Sequence, residues 1–196
     1  MTDTRLDRRA AVAALLARRG AALVVTGLGS PTWDGAAAGD HPLNFPLWGG
    51  MGGAAMVGLG LALAQPRRRV LVVTGDGEML MGLGSLATIG LQRPDNLAIV
   101  VLDNEHYGET GMQPSHTGGG IDLAAMAKAA CFAAAATVMT DAEWAAMIPR
   151  LYDEPGPLFA AVKVTTAAAA LTLPARDGTY LNHRFREALL GKGALL

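Results

Sequence analysis

Val70-Leu71-Val72-Val73-Thr74 and Leu97 to Leu102 are unbroken apolar runs, separated by one helix-length segment, Glu78 to Leu91, and a Pro94-Asp95 turn. An apolar run without polar alternation suits a strand buried on both faces, and a crossover of that length joins parallel neighbours. The segment therefore reads as one βαβ unit. Gly75-Asp76-Gly77 closes the first run and Asn104 follows the second. Asp76 and Asn104 thus fall at the carboxyl ends of two parallel strands, where ligands of open α/β sheets bind.

The remaining chain alternates in the same manner. Leu6, Ala10, Ala13, Leu16 and Ala17 recur at helical spacing before a Gly20 stop, and Ala21 to Thr26 reads as a strand. Residues 31 to 50, with Trp33, Trp48 and several prolines and glycines, read as a long loop of the kind that is usually functional. Met51 to Ala64 reads as a buried helix. After a loop over 103 to 120, Asp122 caps a helix to about Ala130, and Ala133 to Val138 forms a small-residue strand. Thr140 or Asp141, with Glu143 placed as in a capping box, starts a helix through Tyr152. Pro157 to Val164 is the last strand and Leu181 to Leu190 a short final helix. The expectation is one α/β domain, 1–196, with a mainly parallel central sheet flanked by helices.

A formal net charge of −1, 17% charged residues and no basic run beyond Arg67-Arg68-Arg69 give no sign of a nucleic-acid surface. That triplet reads as a solvated helix-to-strand corner. The single Cys131 excludes a disulfide framework or a Cys-x-x-Cys metal site and fits a reducing, cytoplasmic location. The arginines near the N-terminus lack an apolar segment behind them, so no secretory signal is readable. Gly49 to Ala64 is shorter than a bilayer span, so no membrane partner is expected. With 51% hydrophobic but 5% aromatic residues, the interior packs on Ala and Gly and leaves more apolar surface than a monomer hides.

Gly50-x-Gly52-x-x-Ala55 imitates a dinucleotide fingerprint, but no clean strand precedes it, because Pro46 interrupts Leu43 to Trp48. Taken alone, Gly75-Asp76-Gly77 is a strand-to-helix turn. Together with Asn104 it resembles the thiamine diphosphate signature. That resemblance implies a three-layer thiamine diphosphate-binding fold with Mg²⁺ held by Asp76, Asn104 and the main-chain carbonyl of His106. It also implies cofactor contacts from Gly75, Gly77, Glu78, Tyr107 and Gly108. Met51, 25 positions before Asp76, stands where an apolar wedge separates the two cofactor rings, and Gly49 where a carbonyl receives the pyrimidine amino group.

A closer resemblance covers most of residues 20 to 132. Asn44-Phe45-Pro46-Leu47-Trp48-Gly49-Gly50-Met51-Gly52, Gly75-Asp76-Gly77-Glu78-Met79-Leu80-Met81-Gly82-Leu83-Gly84-Ser85-Leu86-Ala87-Thr88 and Tyr107-Gly108-Glu109-Thr110-Gly111-Met112-Gln113-Pro114 are similar to the sulfopyruvate and phosphonopyruvate decarboxylases. Departures are Asp103, where many members have Asn, Trp48 and Gly50, and Thr32-Trp33-Asp34 in place of a Ser/Arg/Glu-type pattern.

In that family the glutamate that activates the cofactor belongs to a pyrimidine-binding domain, for which this chain has no room. The resemblance therefore implies a β-type, diphosphate-binding subunit that works with an α-type partner carrying that glutamate, in an α2β2 or larger hetero-oligomer. Its reaction would convert a 2-oxo acid to an aldehyde and CO2. His116 is the histidine placed for a role near substrate, with Gln113 and Thr110 as possible carboxylate contacts. The alternatives are a subunit of a carboligase or synthase, the small subunit of a 2-oxo acid:ferredoxin oxidoreductase, and a cofactor-binding module without activity.

Overall fold

The computed structural model describes residues 5–195. Helix α1 (Arg8–Ala17) leads into β1 (Leu23–Thr26), α2 (Ser30–Ala37), the short β2 (Asn44–Pro46) and α3 (Ala54–Ala64). Then come β3 (Val70–Gly75), α4 (Asp76–Met81), α5 (Ser85–Gln92), β4 (Leu97–Asp103) and a small antiparallel pair, β5 (His106–Tyr107) and β6 (Gln113–Pro114). A 3-10 turn (His116–Gly119), α6 (Leu123–Ala129), β7 (Ala134–Val138), α7 (Asp141–Asp153), β8 (Leu158–Lys163) and α8 (Gly178–Leu190) complete the order.

Six strands form one parallel sheet in the order β2-β1-β3-β4-β8-β7. Side chains alternate across it. Leu23, Val25, Val70, Val72, Ile99 and Val101 enter a core shared with Leu59, Ile89 and Leu123 of α3, α5 and α6. Val24, Leu71, Val73, Ala98 and Val100 enter a second core with Val12 and Leu15 of α1 and Trp144 and Leu151 of α7. Both faces are therefore dry, which explains the unbroken apolar runs: every position of β4 is buried. Burial of each Val, Leu or Ile side chain contributes about 1.5–3 kcal/mol. The chain order reverses between β1 and β3, so a crevice opens at their carboxyl ends. Among the described residues no helix is long and apolar enough to cross a membrane.

The caps fall where the sequence puts them. Asp122 accepts from the Ala125 amide at 3.0 Å, and Thr140 and Glu143 form a reciprocal capping box. Four expectations change. Residues 31–50 are not a loop: Pro31 sits in the first turn of α2, and Asn44–Pro46 is an edge strand, where a terminal proline costs no ladder bond. The helix expected over 51–64 begins at Ala54, because Gly50 and Gly52 take positive φ (68° and 87°) and form a turn closed by Gly53 N–H to Gly50 O. The helix expected over 78–91 is two helices. They part at Gly82, whose backbone lies so close to Gly52 O that any Cβ would overlap it. Within 103–120, the β5–β6 pair and the 3-10 turn replace the expected open loop.

Candidate active site

The crevice at the carboxyl ends of β1, β3 and β4 is lined by Leu28, Ser30 and Pro31 from the β1–α2 junction and by Gly75, Asp76, Gly77 and Glu78 from the β3–α4 junction. Asn104, His106, Tyr107, Gly108, Glu109 and Thr110 close it from the segment after β4, and Arg8 and Met51 complete the wall. The βαβ unit thus brings Asp76 and Asn104 to one pocket.

Asp76 opens α4 and is buried. Its Oδ2 accepts from the Ser115 hydroxyl and faces Thr117 Oγ1 at 3.2 Å, while Oδ1 takes no side-chain hydrogen bond among the described residues. Burial pushes its pKa up; the Ser115 hydroxyl counters this, and the nearby charge of Asp103 adds to it. Thr117 donates to Asp103 Oδ1 at 2.7 Å, and Lys163 bridges Asp103 Oδ2 (2.9 Å) and Glu105 Oε1 (2.8 Å). The Lys163 hydrogen bond in turn holds Glu105 below the usual carboxylate range. Behind the pocket, then, hydroxyls fix the Asp76 carboxylate and a lysine neutralises Asp103.

Asn104 and His106 form an Asx turn: the His106 amide donates to Asn104 Oδ1 at 2.9 Å, across Glu105 at φ 65°. Tyr107 lies against Gly77, where a Cβ would stand 2.6 Å from its ring. Gly75 differs. Its φ/ψ of −94°/162° suits any residue, and a Cβ there would meet nothing within 4 Å. The glycine leaves space in the pocket rather than satisfying the backbone.

Of the residues expected at the site, Met51, Gly75, Asp76, Gly77, Glu78, Asn104, His106, Tyr107 and Gly108 line the pocket. Met51 does so from the glycine turn and is 39% exposed. Gly49 is exposed and outside the lining. His116 is also outside it, exposed on the 3-10 turn, with Nδ1 3.3 Å from the hydroxyl of Tyr107. The Glu78 carboxylate turns inward: Oε2 accepts from Thr74 Oγ1 at 2.9 Å, and Oε1 is buried without a hydrogen bond. Burial raises its pKa, against the pull of Thr74 and the nearby amides of Ala54, Leu28 and Gly52.

Sequence reasoning missed Ser115, Thr117 and Lys163. Strand register was the available signal for the last, since Asp103 and Lys163 are Cα partners at the ends of β4 and β8. The departures at 32 to 34 prove to be internal: Thr32 Oγ1 bonds Thr26 Oγ1 and Gly27 O, and Asp34 is fully buried between Arg8 and Arg9.

The donor set fits a hard divalent cation carrying an anionic cofactor. Asp76 and Asn104 offer oxygens, and His106 brings its main chain into the same turn. No cluster of three His, Cys, Asp or Glu side chains suited to a metal exists among the described residues, so further oxygens would come from main-chain carbonyls, water or the ligand. Arg8 is the one Lys or Arg side chain on the wall among the described residues, and it is engaged by Asp34. A diphosphate there would need the cation.

Comparison with known proteins follows the same line. Residues 32–162 match the family described as thiamine pyrophosphate enzyme, C-terminal TPP binding domain. The chain is 43% identical over 106 residues to sulfopyruvate decarboxylase subunit beta of Methanocaldococcus jannaschii, covering 54% of this chain and 56% of that protein. It is 46% identical over 129 residues to phosphonopyruvate decarboxylase of Streptomyces viridochromogenes, covering 65% of this chain and 32% of that one. The chain thus spans little more than half the length of the first relative and a third of the second. In fold it is similar to benzoylformate decarboxylase from Polynucleobacter necessarius, with a TM-score of 0.70 at 20% identity over 87% of this chain and 36% of that one. The family match runs from within α2 to within β8 and takes in the Gly75-Asp76-Gly77 junction and the metal-type donors, and the chain belongs to the thiamine pyrophosphate enzymes, as their C-terminal TPP-binding domain.

Proposed function

We propose that the chain is the diphosphate-binding subunit of a heteromeric, Mg²⁺-dependent 2-oxo acid decarboxylase that takes a sulfopyruvate- or phosphonopyruvate-like substrate and releases an aldehyde and CO2. The observation that carries this reading is the β3–α4 junction: Gly75 open to the pocket, and a buried Asp76 whose Oδ1 takes no side-chain hydrogen bond among the described residues. Thiamine diphosphate, when bound, supplies the nucleophilic carbon and the electron sink that decarboxylation of a 2-oxo acid requires.

The chain's own residues have separable tasks in this reading. Asp76, Asn104 and the main chain of His106 hold the cation. Gly75 admits the diphosphate to the start of α4, which no side chain caps, while Gly77 makes room for the Tyr107 ring on the same wall. Ser115 and Thr117 orient Asp76, and Lys163 keeps Asp103 from opposing it. Met51 is the side chain for the wedge. His116 acts through Tyr107 as a positioning residue rather than by contact with the pocket.

The activating glutamate belongs, in this reading, to an α-type partner. The names of the relatives, subunit beta, support a second subunit. So do the exposed side chains of Met51, Met81 and Met112, which lie on or beside the segments that line the pocket, since flexible methionines suit adaptable interfaces. The test is to supply the purified chain with thiamine diphosphate and Mg²⁺, with and without the partner, and to follow CO2 and aldehyde from both acids. Turnover is expected only with the partner. Robust turnover by the chain alone would refute the split site, and acyloin or a reduced acceptor as product would move it to the ligases or oxidoreductases.

A further inference from the structure

At the opposite end of the sheet, below the first residues of β1 and β3, Arg18 and Arg19 from the end of α1 and Arg67, Arg68 and Arg69 from the α3–β3 corner line one open groove of about 350 Å³. Asp153 is its one acidic lining residue among those described. Five guanidiniums against one carboxylate leave an excess of four positive charges, on a chain whose formal net charge is −1.

Most of these groups are held in place. Arg68 gives Nε and Nη2 to Ala21 O (3.2 and 2.7 Å), and Arg69 gives Nε to Tyr152 O (3.0 Å) and Nη2 to Glu154 O. Arg19 is fixed by Asn44 Oδ1 and by Ala22 O at 3.1 Å, and Arg18 by Asp153 at 2.6 Å. The expected solvated corner is therefore a fastened one. Fastening does not account for the whole cluster. Each guanidinium has five donors, and these bonds use three at most on any one of them. Arg19 Nε is buried without a hydrogen bond, and Arg67 stands exposed without an ion pair among the described residues. Like charges gathered on two sides of one groove repel unless an anion lies between them, and guanidinium forks match phosphate oxygens in pairs.

We propose that this groove binds a small multivalent oxyanion, of the kind carried by polyphosphates and phosphate esters, at a site separate from the pocket at the other end of the sheet. Two or more anionic groups are required, because the guanidiniums come from two separate segments of the chain.

Calorimetry with inorganic tripolyphosphate tests this, at constant ionic strength and with EDTA present so that the other pocket has no cation. One ion per chain is expected. Exchange of Arg18 and Arg67 for Gln, both on the exposed rim, should weaken binding at least tenfold while leaving the melting temperature and Mg²⁺-dependent thiamine diphosphate binding unchanged. Asp153→Asn should tighten it severalfold. Hydrogen exchange should slow in residues 17–22 and 66–70 when the ion is added. The proposal is overturned by tripolyphosphate binding no tighter than sulfate, by binding that survives the double variant, or by protection confined to residues 75–110. Equal affinity for a polyglutamate peptide would also overturn it, in favour of a protein-binding surface.

Discussion

Two βα junctions frame the pocket, and their glycines do opposite things. After β1, a Cβ on Gly27 would overlap Glu78 Oε2, and one on Gly29 would stand 2.6 Å from Glu109 Oε1. Those glycines make room for the protein's own carboxylates. After β3, Gly77 makes room for the Tyr107 ring, but Gly75 makes room for nothing in the protein. A glycine with ordinary φ/ψ and open space at its Cβ position therefore points to a ligand, whereas one against a buried side chain is a packing requirement. The Gly-Asp-Gly and Gly-Leu-Gly strings look alike in the sequence, and of their four glycines only Gly75 is left open to an outside group.

The largest effect that would break or sharpen this contrast is expected at Asp76. Asp76→Ala should lower Mg²⁺-dependent thiamine diphosphate affinity by at least about 100-fold in the assembled complex, since it removes the charged ligand of a hard cation. Calorimetry showing undiminished affinity would remove the metal assignment.

Gly75→Ala comes next. Cofactor affinity should fall about tenfold or more, while the melting temperature stays within a degree or two, because the backbone angles are ordinary and the new methyl meets no protein atom. Gly27→Ala should do the reverse, destabilising the fold by about 1–3 kcal/mol through overpacking. Thermal and denaturant melts separate the two. A double-mutant cycle makes the cause explicit: in a Glu78→Ser background most of the Gly27→Ala penalty should vanish. If it persists, Glu78 is not what Gly27 accommodates.

The smallest effect is on pH dependence. Burial places the Glu78 pKa in the folded state above its ordinary 4.5. For such a group the contribution to stability is complete below the unfolded value and is lost as pH rises through the folded value. Stability without cofactor should therefore decline from mildly acidic toward neutral pH, and Glu78→Gln should flatten that decline in melts run across the range. Asp76 and Glu109, shifted the same way by burial, contribute to the slope that remains. A slope unchanged by Glu78→Gln would show that the carboxylate is well compensated by the surrounding amides.

Much was legible because it was local. Strands β3 and β4 are buried on both faces, which forces unbroken apolar runs, and the Thr140–Glu143 box involves residues three apart. The edge strand β2 was not legible. It has three residues and ends on a proline, so its pattern is that of a loop, and its existence depends on pairing with β1. The single helix expected over 78–91 failed for a similar reason: its break at Gly82 is imposed by the backbone of Gly52, thirty residues earlier.

The sequence by itself determined the α/β alternation, the βαβ unit and the arrival of Asp76 and Asn104 at neighbouring strand ends, because periodicity, crossover length and parallel pairing leave few other solutions. The tertiary structure alone decided where the remaining charges went. Asp34 is buried between Arg8 and Arg9. Lys163 reaches Asp103 across β4 and β8, Glu78 turns under Gly27, and arginines from two distant segments meet in one groove. Each of these contacts joins residues from separate elements. Their geometry is set by how the helices pack on the sheet, to which no local pattern of residues corresponds.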